Sequence, residues 1–113
     1  MALREQLRVI LHEKRSRRMN KYEAMFIIKP DLSEEERKTL LHQINDAVTK
    51  NNGNISQANI WSEKRKMHFC IKKYHEGVYY LMNFSVMPDA IKEIRHAYNL
   101  NENILRVLIT RVE

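Results

Sequence analysis

Cysteine occurs once in this 113-residue sequence, at Cys70, and glycine only twice, at Gly53 and Gly77. A single thiol cannot close an internal disulfide, which points to a reducing compartment such as the cytoplasm. Two isolated glycines leave no material for a glycine-rich phosphate cradle. No apolar run approaches the roughly 20 residues needed to cross a bilayer, so no membrane association is expected. CxxC pairs are missing, and His68, Cys70 and His75 have no carboxylate at ligand spacing nearby. They read as surface residues ahead of a metal site or a Cys-His nucleophile. No cofactor and no catalytic function are expected. The glycine-aromatic string of an RNA-recognition motif is absent as well, which weakens base stacking as a function.

What is present in quantity is positive charge, and it is gathered. The net charge is +6. Residues 1–18 carry Arg4, Arg8, Lys14, Arg15, Arg17 and Arg18 against Glu5 and Glu13. Residues 61–74 carry Lys64, Arg65, Lys66, Lys72 and Lys73 against Glu63 alone. The rest of the chain is slightly acidic, so two basic patches sit on an otherwise acidic body, and a polyanion such as nucleic acid is the natural partner. By itself a run of lysines on a strand also reads as a solvated edge that discourages strand pairing between molecules. Phosphate contacts from such a patch would bring affinity and salt dependence with little sequence reading.

The length suits one domain. Residues 1–18 stand apart: Leu3, Leu7, Ile10 and Leu11 fall at helical spacing ahead of the basic run. They read as an amphipathic basic extension, a presequence-like segment, a disordered end, or an artefact of a start site upstream of Met19. Residues 19–113 form the domain. Tyr22, Ala24, Phe26 and Ile28 alternate in a strand that Pro30 ends. Ser33 and Glu36 make a capping box for a helix whose face is Leu40, Leu41, Ile44, Ala47 and Val48. Gly53 is placed to take the left-handed conformation beyond it. A long strand follows to Ile71, with Met67, Phe69 and Ile71 toward the core and a bulge expected where Ile60 and Trp61 adjoin. Lys72 to Gly77 reads as a turn and Val78 to Val86 as a strand, with Tyr80 and Phe84 in its buried row. Pro88 opens a second helix with Ile91, Ile94, Ala97 and Tyr98 inward. Leu105, Val107 and Ile109 mark a last strand. The order β-α-β-β-α-β predicts an α+β, ferredoxin-like fold, a four-stranded antiparallel sheet with both helices on one face.

Lys21-Tyr22-Glu23-Ala24-Met25-Phe26-Ile27-Ile28-Lys29-Pro30 resembles the opening of the bacterial small-subunit ribosomal protein S-six family. Residues 61–71 occupy the place of its Gly-x-Arg-x-Leu-Ala-Tyr-x-Ile signature, with Glu63 for the glycine, Arg65 kept, Met67-His68-Phe69 for Leu-Ala-Tyr, and Cys70 for the proline. Val78 to Phe84 and Leu100 to Arg106 resemble its third strand and its ending. The resemblance implies a structural constituent of the small ribosomal subunit, acting in translation and assembly. It would bind the central domain of small-subunit ribosomal RNA together with small-subunit protein S-eighteen, in the cytoplasm, or in an organelle if residues 1–18 are a presequence. Tyr22, Arg65 and Arg106 carry over from the family as RNA-binding positions; Lys64, Lys66, Lys72 and Lys73 join them on charge alone. The alternative is a ferredoxin-like regulatory or RNA-binding module outside the ribosome, since fold does not settle function.

Overall fold

The computed structural model describes residues 19–112; the basic extension 1–18 lies outside them. β1 (Asn20–Ile28) leads to α1 (Glu34–Lys50), β2 (Asn54–Ile71), β3 (Tyr74–Val86), a 3-10 turn (Pro88–Ala90), α2 (Ile91–Asn99) and β4 (Ile104–Val112). The four strands form one antiparallel sheet in the spatial order β2-β3-β1-β4. This is the expected ferredoxin-like arrangement. β1 is central, between β3 and β4, so its polar backbone groups are paired on both sides.

Alternation decides the core. Ala24, Phe26 and Ile28 of β1 and Val78, Tyr80, Met82, Phe84 and Val86 of β3 project to the side where α1 supplies Leu40, Ile44 and Val48 and α2 supplies Ile94 and Tyr98. The Phe26 ring meets Tyr98 edge-on at 4.8 Å and Tyr80 at 5.9 Å, arrangements that suit the ring quadrupoles. Full burial of each such apolar side chain is worth about 1.5–3 kcal/mol. Ala97, assigned to this face from its spacing, is exposed, and Ile91 is only partly covered. A nine-residue helix offers too narrow a stripe to bury both flanks.

The capping box forms as expected: Glu36 N–H donates to Ser33 Oγ at 3.2 Å, and Ser33 N–H donates to Glu36 Oε1 at 3.1 Å. The Ser33 N–H, and to a lesser degree the Ser33 hydroxyl, hold the Glu36 carboxyl below the usual carboxylate range. The other end of α1 differs from expectation. Asn52, with φ of 63°, takes the left-handed conformation, and Gly53 does not. Gly53 is required for space instead: a Cβ there would stand 2.6 Å from Val48 Cγ1 and 3.0 Å from the Ser85 carbonyl oxygen.

β2 and β3 run well past the end of β1, whose last register partner on β3 is Val78. The segment Tyr74–Gly77, read from sequence as turn, is strand; the reversal is made by Lys72 and Lys73 alone, with φ of 48° and 73°, between the paired residues Ile71 and Tyr74. Two successive positive φ values define the hairpin turn whose twist matches its strands, one that ordinarily selects Asn-Gly. The projecting hairpin is a basic arm.

Candidate nucleic-acid interface

The arm has an irregular ladder. β2 supplies 18 residues against 13 in β3, and the surplus is absorbed at register breaks between Ile55 and Gln57, Ile60 and Ser62, Ser62 and Arg65, and Lys66 and Ile71. The second break makes Trp61 the extra residue, at the bulge expected from its adjacency to Ile60. Bulges bend a strand and re-aim side chains. Here they bring Trp61 against Tyr79, with ring centroids 5.9 Å apart.

Arg65 lies on this aromatic pair, its guanidinium 4.6 Å from the Trp61 ring and 5.8 Å from the Tyr79 ring. A guanidinium attracted over a ring can still offer N–H groups to an oxyanion. Arg65 is opposite Gly77, where a Cβ would come within 2.5 Å of Ile27 Cγ2. The missing side chain lets the arm leave the sheet without pushing β1 away.

Five of the seven site residues expected from sequence are brought together. Lys64, Arg65 and Lys66 are exposed on β2, and Lys72 and Lys73 are exposed at the tip. Arg106 is exposed on β4, at the other edge of the sheet, yet its guanidinium lies 5.8 Å from the Phe69 ring, so the arm reaches back to it. Tyr22 lies apart from the others. It is 8% exposed and stacked on Phe84 at 5.7 Å, inside the core. Phe69, expected in the core, is 55% exposed: it lies out on the arm against Arg106, away from the helices.

The side of the sheet away from the helices carries further groups that charge reasoning passed over. Ile27 pairs with Tyr79 on one flank and Arg106 on the other, placing these side chains on that open face. Trp61 is 53% exposed and Leu108 59% exposed. The one advance signal was the bulky pair Ile60-Trp61.

Two contacts tie the arm to the body from the helix side. Arg37 Nη1 of α1 donates to Glu63 Oε1 at 2.9 Å and to Oε2 at 3.1 Å. The Tyr74 hydroxyl donates to Asp31 Oδ2 at 3.0 Å, with Lys29 Nζ 6.0 Å from the same ring. The bond to Asp31 pushes the Tyr74 hydroxyl's pKa up. Glu63, which stands where the family signature has glycine, is thus the partner of a helix arginine.

Among the described residues no three His, Cys, Asp or Glu side chains gather as a metal site, and no helix is long and apolar enough to cross a membrane. Comparison with known proteins agrees on one family. The family model of Ribosomal protein S6 matches residues 21–111. The small ribosomal subunit protein bS6 of Caldanaerobacter subterraneus subsp. tengcongensis is 39% identical over 95 residues, 84% of this chain and 99% of the relative. That of Thermoanaerobacter pseudethanolicus is 40% identical with the same coverage. The crystal structure of 30S ribosomal protein S6 from Thermotoga maritima superposes with a TM-score of 0.77 at 29% identity, covering 84% of this chain and 89% of that one. A chemotaxis kinase CheA P2 domain shares the fold alone, with a TM-score of 0.53 at 15% identity. The chain belongs to the Ribosomal protein S6 family, structural proteins of the small ribosomal subunit and not enzymes.

Proposed function

We propose that the chain is an architectural protein of a cytoplasmic small ribosomal subunit, binding the central domain of small-subunit ribosomal RNA through its basic arm and pairing with small-subunit protein S-eighteen. The observation that carries the RNA contact is the arm itself: Lys64, Arg65, Lys66, Lys72 and Lys73 are all exposed on one projecting hairpin. The lysines act as point charges on phosphates, and Arg65, stacked on Trp61, offers a planar fork. Arg106 extends the positive surface across the sheet. The open face suits S-eighteen, because Trp61, Phe69, Tyr79 and Leu108 group apolar and aromatic area there with arginines at its borders, the composition of a protein interface.

The deciding measurement is sedimentation of cell lysate through a sucrose gradient. The protein should travel with small subunits, and salt washing should release it steeply. Recovery wholly in the free pool, without ribosomal RNA, would overturn the reading.

A further inference from the structure

The arm is a two-stranded ribbon projecting past β1, and such ribbons are marginal in water by themselves. Its turn places two lysines at positive φ, and its ladder is interrupted between Lys66 and Ile71. Local pairing is therefore a weak determinant of where its charges point. Yet each strand of the arm is fastened to a different part of the body, β2 toward its root and β3 beside the turn. β2 is held through Glu63 by Arg37 in α1, and β3 is held through Tyr74 by Asp31 in the loop between β1 and α1. Glu63 immediately precedes Lys64, Arg65 and Lys66, and Tyr74 immediately follows Lys72 and Lys73. Both basic groups thus adjoin a tether.

We propose that Arg37 and Asp31 are positioning residues for the RNA contact: they hold the arm against the helix side, so its cations are presented as one fixed array. The inference rests on the RNA-binding reading above. Exposed pairs of this kind add little to global stability; their effect is to remove the ordering cost that a loose arm would bear on binding RNA. Arg65 on Trp61 and Phe69 on Arg106 steady the opposite side, leaving the helix-side tethers as the complementary pair.

The test compares wild type with the double variant Arg37→Ala/Tyr74→Phe, using a central-domain fragment of small-subunit ribosomal RNA. Affinity should fall about tenfold through lost pre-organisation, while the slope of log affinity against log salt stays that of wild type, because the same phosphates are neutralised in the complex. Backbone amide order parameters should drop in residues 63–76 of the free variant and nowhere in α1 or β1. The swapped pair Arg37→Glu/Glu63→Arg keeps net charge and should retain near wild-type affinity and arm order. Unchanged affinity or unchanged arm order in the double variant, or loss of both in the swapped pair, overturns the proposal. Wild type that binds the fragment without salt dependence overturns the RNA reading itself, a result separable from failure of the tethers alone.

Discussion

The Tyr98 hydroxyl donates a 2.7 Å hydrogen bond to the Ile44 carbonyl oxygen, joining α2 to the middle of α1 inside the core. Burial pushes the pKa of this phenol well up, with Tyr80 adding to the effect. Replacing Tyr98 with Phe keeps the ring against Phe26 and removes the bond, so stability should fall by about 1 kcal/mol in urea denaturation.

Alkaline pH tests the same group. Its folded-state pKa is raised, so the folded protein holds the proton more tightly than the unfolded chain. That contribution is fully present below the ordinary phenol value and is lost as pH rises toward the folded value. Wild type should lose stability above about pH 10, and Tyr98→Phe should lose less, read from thermal midpoints across the alkaline range.

Gly53→Ala separates two explanations for a glycine after a helix. Its φ is not positive, so backbone strain predicts no penalty, whereas the clash with Val48 and Ser85 predicts one. Destabilisation of about 1–3 kcal/mol is expected from overpacking, measured by denaturant titration.

Changing Lys64, Arg65 and Lys66 together to Ala should weaken RNA binding and reduce its salt slope by about 3, one unit for each phosphate that is no longer neutralised. All three are exposed, so the thermal midpoint should hardly move. Loss of folding would instead make the segment structural.

Replacing Lys72-Lys73 with Asn-Gly suits the two positive φ values far better and should relieve about 1–2 kcal/mol of left-handed strain, while lowering RNA affinity through removal of two charges. Opposite movements of denaturation midpoint and binding constant would mark the turn as a place where charge overrides turn chemistry.

The element order was legible because the apolar periods are clean: alternation in β1 and β3, and a three-to-four spacing in α1 closed by a capping box. Alternation, however, reports which side a residue faces, and not whether anything covers that side. Phe69 has the phase expected for burial, yet it meets Arg106 on the side away from the helices. Tyr22 shows the converse, since the family pattern marks a position without saying whether its ring is surface or core. The start of β3 was hidden because Lys72-Lys73 carries no Gly or Asn to announce a tight turn. Arg65 stood out as charge; its seat on Trp61 and Tyr79 depends on how many residues each strand spends along the arm, which no local pattern encodes.

That unequal count sets a timetable for solvent access. Met67 to Cys70 have no register partners on β3, so their amide protons should exchange with deuterium early, through openings that leave the body intact. β1, laddered on both sides, should surrender its protons last and only with the whole domain. The molecule is thus a slow-exchanging body carrying a fast-exchanging limb, and the boundary falls where Gly77 faces Ile27.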